Sequence, residues 1–192
     1  MANVNEKFGL RPYRSLNGAP WNNAQNRYTI ANNLSTAIFQ GDPVKPTTAG
    51  NVTLARSHTS DRICGVFNGV FYNDPSTQKP TFRNSYPGSI AAAGITAFVV
   101  DDPNTIFLVD ADAAFTRADL FRNYSLTVVT GNTLTGISEK QLDVSVSGLT
   151  TTFAIQAIDI QEGPSDSDTS TAGVNVLVRI NNHFYRSGTA GI

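Results

Sequence analysis

A single cysteine, Cys64, gives this 192-residue chain nothing to bridge within itself, so an internal disulfide framework is excluded. Charge is scarce as well. Only 15% of residues are charged, with 4 Lys and 3 Glu, against a usual share near a quarter. No stretch approaches the roughly eighteen consecutive apolar residues of a helical membrane span. The two histidines, His58 and His183, and the one cysteine are so scattered that they give no zinc-ligand spacing. Gly41-Asp42-Pro43-Val44 lacks the lysine and following helix of a phosphate loop. The start, MANVNEKFGLRP, is polar and reaches no apolar stretch, so a secretion signal is not expected. The expectation is a chain made and kept, or assembled, in a reducing cytoplasm. The sequons at Asn33, Asn51 and Asn123 then carry no meaning.

What is present is 21 Thr, 18 Asn, 15 Ser and 15 Gly over a 40% apolar background. Threonine favours strands, while Asn, Ser and Gly favour turns. Long helices lean on Ala, Leu, Glu, Lys and Gln, so the composition points away from them. Strand signals recur at short intervals: Arg27 to Ala31, Thr36 to Gln40, Asn51 to Ala55, Arg62 to Tyr72, Ile95 to Val100 and Thr105 to Asp110. Further candidates are Leu126 to Thr130, Leu142 to Val146, Thr151 to Ile160 and the clear alternation Val174, Val176, Val178, Ile180. A bulge near Ala157-Ile158, or burial on both sides, is needed to reconcile the two apolar faces of 151–160. Asp101-Asp102-Pro103-Asn104 predicts a type I turn closing a hairpin, and the proline-rich 73–88 predicts a loop. Thr116 with Asp119 resembles a capping pair, for a helix of at most two turns. Cys64 lies in an apolar run and reads as small core filler. The pattern predicts an all-β fold, mainly an antiparallel sandwich or barrel, with at most short helices.

Residues 1–26 differ from the rest. They show no strand or helix period yet carry Phe8, Tyr13 and Trp21, with Arg11 and Arg14 between them. A disordered tail is poor in aromatics, and Pro12 and Pro20 bias their neighbours to extended forms. The segment therefore predicts an extended N-terminal arm on a β-rich body of residues 27–192. Its destination is its own domain, a sister subunit or another protein, with a partner preferred. Phe8, Arg11, Tyr13, Arg14 and Trp21 are the candidate partner-binding residues. Residues 1–30 carry net +3 and residues 101–170 net −8, a polarity that suits oriented docking as well as a plain solvated surface.

Chemistry is hard to find. His58 near Ser57 and Asp61 is proximity in a polar loop, which does not define a triad. The loop Asp166-Ser167-Asp168-Thr169-Ser170-Thr171 begins like a calcium loop but has Thr171 where the glycine is needed and Leu177 at the closing position. Asp101-Asp102 and Asp110 with Asp112 are explained by turn and strand-end roles rather than as a glycosidase pair. The arm's four cations are too few to argue for nucleic acid. No catalytic residue, cofactor, metal, nucleic-acid partner or membrane partner is expected.

Six stretches taken in order carry a resemblance: Phe8-Gly9-Leu10-Arg11-Pro12, Tyr28-Thr29-Ile30, Phe39-Gln40-Gly41-Asp42-Pro43-Val44, Asp101 to Phe107, Gln141-Leu142-Asp143 and Val178 to His183. They resemble a group of tailed-phage virion proteins, the capsid decoration or cement proteins of HK97-type heads, cyanophage-like in character. Gly41-Asp42-Pro43 with Gly65-Val66 is also similar to the β-tulip decoration proteins. The resemblance implies a structural protein on the capsid exterior, binding the major capsid protein as a homo-oligomer. A trimer is favoured, with a dimer left open. A tail, neck or receptor-binding virion component is the alternative, and a polysaccharide-degrading enzyme a distant third.

Overall fold

The computed structural model describes residues 3–56, 59–163, 166–188 and 190–191. The strands are β1 (Arg11–Ser15), β2 (Asn26–Thr29), β3 (Pro43–Pro46), β4 (Val52–Leu54), β5 (Gly65–Asn73) and β6 (Pro80–Arg83). They continue with β7 (Thr96–Val100), β8 (Thr105–Asp110), β9 (Asn123–Leu126), β10 (Leu142–Gly148), β11 (Ile155–Ile160) and β12 (Asn175–Ile180). One sheet has the order β1-β8-β12-β11-β9-β10; the other runs β2-β7-β5-β3-β4, with β6 added to β5. Pairing within the named strands is antiparallel throughout. The fold is an all-β sandwich, and among the described residues the one helical piece is the 3-10 turn Arg117–Asp119. Asp119 closes that turn by accepting both the N–H and the hydroxyl of Thr116.

The alternation in β12 works as its sequence demands. Val174, Val176, Val178 and Ile180 enter the main core with Phe107 and Val109 of β8 and Val66 and Val100 of the second sheet. Strand β11 needs two apolar faces, and its register slips between Ala157 and Asp159, so the extra residue resets the alternation. A second core, on the far side of β5 and β7, gathers Phe67, Val70, Tyr72, Ala97 and Val99. A small third cluster of Phe8, Ile106, Leu108 and Leu177 covers the outer face of β8 and β12.

Several expectations are corrected. Thr96–Val100 and Thr105–Asp110 do not form a hairpin. The expected turn exists, with the Thr105 N–H bonded to the Asp102 carbonyl, but it carries the chain from one sheet to the other. Turn chemistry reads four residues, and the sheet each flank joins is decided by the two cores. Residues 73–88 are not all loop: β6 lies inside them, an edge strand whose Pro80 opens it, where the missing donor costs no central ladder bond. Thr36 to Gln40 forms only bridges, at Ile38 with Tyr86 and Gln40 with Ile137. The strand expected over 126–130 ends at Leu126.

Residues 8–21 lie against the chain's own body, one of the three destinations open to the arm. Strand β1 pairs with the edge of β8, Phe8 and Leu10 are buried, and Trp21 packs against the main core. All six residues of β8 are buried. That strand needs a partner on its open edge and a cover on its outer face, and the N-terminal segment supplies both. Removing residues 1–26 therefore takes away a sheet strand and part of the core.

The segment is tied down at a buried joint. The Leu10 N–H donates to the Gly41 carbonyl, the Gly9 N–H to Lys140 and the Gly41 N–H to Phe67. Asp42 Oδ2 accepts the Phe39 N–H at 2.9 Å and Oδ1 accepts the Ser138 hydroxyl at 2.7 Å. Gly9 and Gly41 have φ of +69° and +94°, and a Cβ on either meets backbone oxygen at 2.7 Å, of Gly41 and Phe8 respectively. Only glycine fits such a conformation at such an approach. Further toward the N-terminus, the Val4 N–H donates to Asp166 and Asn3 bonds to Asp168 and Ala172. Beneath this strap Gln141 Nε2 bridges Asn5 and Asp110 Oδ2, while Asp110 Oδ1 is buried without a partner.

Two tests follow from this packing. Val176→Asp forces a charge into the apolar layer between the sheets and is expected to destabilise by roughly 3–5 kcal/mol, read as a lowered urea midpoint or loss of soluble protein. Burial pushes the Asp110 carboxyl up to about 7; Asp166 and Glu6 act in the same direction, and the Gln141 bond and Lys7 oppose it. The folded state then holds a proton that the unfolded chain releases near pH 4, so this group's contribution to stability falls as pH rises from about 4 to 7. Asp110→Asn removes that fall. The stability difference between variant and wild type is expected to shift in favour of the variant across this window and to level off above it, measured by urea titration at each pH.

Candidate interaction surface

The five arm residues go to different places. Phe8 is buried in the small outer cluster, with the Arg11 guanidinium 4.4 Å above its ring. Trp21 lies against the main core with its indole N–H buried and unpartnered. Tyr13 and Arg14 stay together at a shallow hollow shared with Arg117, Asp159 and Glu162. The outward part of the predicted set is thus Arg11, Tyr13 and Arg14, on an edge strand.

A second outward surface has no counterpart among the sequence candidates. On the β2-β7-β5-β6 end of the second sheet, Phe71 pairs across the strands with Phe82, and Arg27 with Phe98. The rings of Phe82 and Phe98 stand 5.5 Å apart, and the Arg27 guanidinium lies 6.0 Å from the Phe98 ring. Strand pairing puts these rings on the same face as Val66 and Val100, beyond the part that enters the main core. Phe82 is 65% exposed and Phe71 39%. The signal that finds this face is Phe82 two residues after Pro80; reading 73–88 as loop hides it.

The groups considered for chemistry have structural partners. Asp101 accepts both Asn26 and the Tyr28 hydroxyl, at 2.9 and 2.6 Å, and Tyr28 also meets the Tyr185 hydroxyl. Burial first and Asp101 second push the Tyr28 hydroxyl far up, so it stays protonated. Asp102 caps the turn at Asn104, and Asp112 accepts the Val144 N–H. Asp166 serves the strap, and Asp168 caps Ser170, whose side-chain and backbone bonds hold the carboxyl below its usual range. His183 is fully buried; its Nδ1 accepts the Tyr185 N–H, and burial drives the imidazole down to about 4, so it is neutral. His58 lies outside the described residues. Burial pushes the Cys64 thiol up to about 12, which removes the thiolate needed for reactivity. Among the described residues no three His, Cys, Asp or Glu side chains gather as a metal site.

The concave surface is modest. A narrow pocket of about 100 Å³ lies beside the buried joint, lined by Leu10, Gln40, Phe67 and Ile137 among others. A wider one of about 270 Å³ lies between Arg56, Lys140 and the 128–131 segment. The arrangement thus offers aromatic and polar contact surface, with Asp101, Asp102, Asp112, Asp166 and Asp168 tied into the framework. No family model matches the chain, nor does any curated protein or solved structure.

Proposed function

We propose that the chain is a structural, non-enzymatic virion component, a decoration protein that binds the outside of a tailed-phage head and bridges neighbouring major capsid subunits. The observation that supports a binding role is the aromatic sheet face at Phe71, Phe82 and Phe98. Solvent-facing rings on a rigid, strand-built end resemble the anchors that dominate protein interfaces. The order of the six motif stretches supports the capsid assignment. Tyr13 and Arg14, on the β1 edge, supply a second contact. Attachment at many symmetry-related positions lets modest contacts add through avidity, and a trimer is the assembly this reading favours.

The test uses expanded empty heads of the phage that encodes the chain. Wild-type protein is expected to coat them at high copy, whereas a tail or neck component does not. Phe82→Ser is expected to weaken attachment at least about tenfold, or roughly 1.4 kcal/mol. Because the ring is exposed, its stability should stay within about 0.5 kcal/mol of wild type. Co-sedimentation and melting curves read both halves. Unchanged attachment removes the aromatic face from the interface, and no attachment by wild type removes the capsid reading.

A further inference from the structure

The segment Leu126-Thr127-Val128-Val129-Thr130 has the composition of a strand, yet pairing ends at Leu126. Thr127 is still held, its N–H on the Gln141 carbonyl and its hydroxyl accepting the Gln141 N–H. Beyond it, the N–H groups of Val128, Val129 and Thr130 have no protein partner among the described residues. Val128 is 79% and Val129 40% exposed. Along an extended chain successive N–H groups point to opposite sides, so those of Val128 and Thr130 lie together on the side away from Gln141, an unfinished sheet edge beside two β-branched apolar side chains.

A pocket opens beside this edge, and two cations line it. Lys140 is 3% exposed, and its ammonium, with three protons to donate, makes one bond, to the Val129 carbonyl at 3.1 Å. Arg56 is held at the rim by the Thr36 hydroxyl, 3.0 Å from one guanidinium nitrogen. The pocket's one acid is Asp42, and its two oxygens are already engaged by Ser138 and Phe39. Phe39, Leu54, Val128 and Val129 supply apolar walls.

We propose that residues 127–130 form a docking edge that receives an extended segment of a second polypeptide by strand addition, with an acidic side chain of the guest seated between Arg56 and Lys140. Main-chain pairing supplies affinity in such a mode, and a pocket for alternate side chains supplies specificity. Free N–H groups on alternate residues answer the carbonyls of a peptide, which a nucleic-acid backbone does not carry. The spare ammonium protons and the guanidinium call for an anionic oxygen, and the apolar walls call for an aliphatic neighbour on the guest. That the guest belongs to the major capsid protein rests on the reading above; the chemistry of the edge does not.

The probe is an acetylated, amidated Thr-Val-Asp-Val-Thr peptide, added to the full-length, nitrogen-15-labelled chain. Its Asn counterpart and an N-methylated version that cannot pair serve as controls. The amides of Val128 and Thr130 are expected to shift and to slow their exchange. The Asp peptide should bind at least about tenfold more tightly than the Asn peptide. The N-methylated peptide should leave the amides unmoved. Arg56→Gln, a change at an exposed rim residue, should remove most of the Asp preference while leaving the melting temperature in place. Unmoved amides, equal affinity for the Asp and Asn peptides, or self-association of the chain through this edge each overturns the proposal. The two readings fail separately: peptide binding without attachment to heads refutes the capsid reading alone. Heads bound equally well by wild type and Arg56→Gln, with the peptide silent, refute the edge alone.

Discussion

The Asp42 carboxyl, buried and answered by the Phe39 amide and the Ser138 hydroxyl, holds together parts of the chain that lie far apart in sequence. Around it Gly41 donates to Phe67 of the second sheet and accepts from Leu10, while Gly9 donates to Lys140. Burial raises the carboxyl's pKa, and the Ser138 bond, the Phe39 bond and the Lys140 charge pull it back, in that order. Each group here is satisfied by another, so losing one strands its neighbour at about 1–3 kcal/mol for an unpaired buried donor or acceptor. Close approach is the second half of the constraint. A Cβ at Gly9 or Gly41 would stand 2.7 Å from backbone oxygen of the other segment, so the two backbones would have to move apart.

That joint gives a physical meaning to the motif stretches. Phe8-Gly9-Leu10 and Gly41-Asp42-Pro43, over thirty residues apart, meet at one point. Gln141 bridges the strap to Asp110. The Asn182 side chain donates to carbonyls of Ser60, Asp61 and Thr152, and Asp101 ties β2 to the corner where the chain changes sheets. These residues are junctions where segments from different sheets and loops close on one another. Their spacing in the sequence follows the topology.

Alternation, turn residues and caps are local, and they were legible. Val174 to Ile180, the bulge at Ala157-Ile158, the Thr116–Asp119 cap and the Asp102-Pro103 turn all stand where the sequence puts them. Sheet membership is not local. Nothing in Ile95 to Asp110 distinguishes a hairpin from a crossing, because both need the same turn between the same apolar strands. The destination of the N-terminal segment is not local either: without a period of its own, it takes its conformation from β8, whose six buried residues need covering. The site residues were legible only in part. Tyr13 and Arg14 do face outward, but Phe82 was hidden by the prolines around it, and the edge at 127–130 shows only when a strand-forming run proves to lack a partner.

The aromatic face and the unfinished edge are linked through the framework. Asn84, directly after β6, donates to the Thr135 carbonyl at 2.7 Å, and Gly136 lies so close to that amide that a side chain there has no room. Asn132 in turn accepts the Leu134 and Thr135 N–H groups, fixing a turn whose Leu134 is 95% exposed. Phe82 and Leu134 are therefore outward-facing side chains on one braced piece of structure. Ordering a loop on binding costs roughly 0.5–1.5 kcal/mol for each immobilised side chain. A surface whose turn is already fixed by its own hydrogen bonds avoids much of that cost. The scarcity of charge acts in the same direction, because Thr, Asn and Ser around such a surface are cheaper to strip of water than Lys or Glu. Low charge and internal bracing thus act together to lower what this surface would lose in ordering and dehydration on contact.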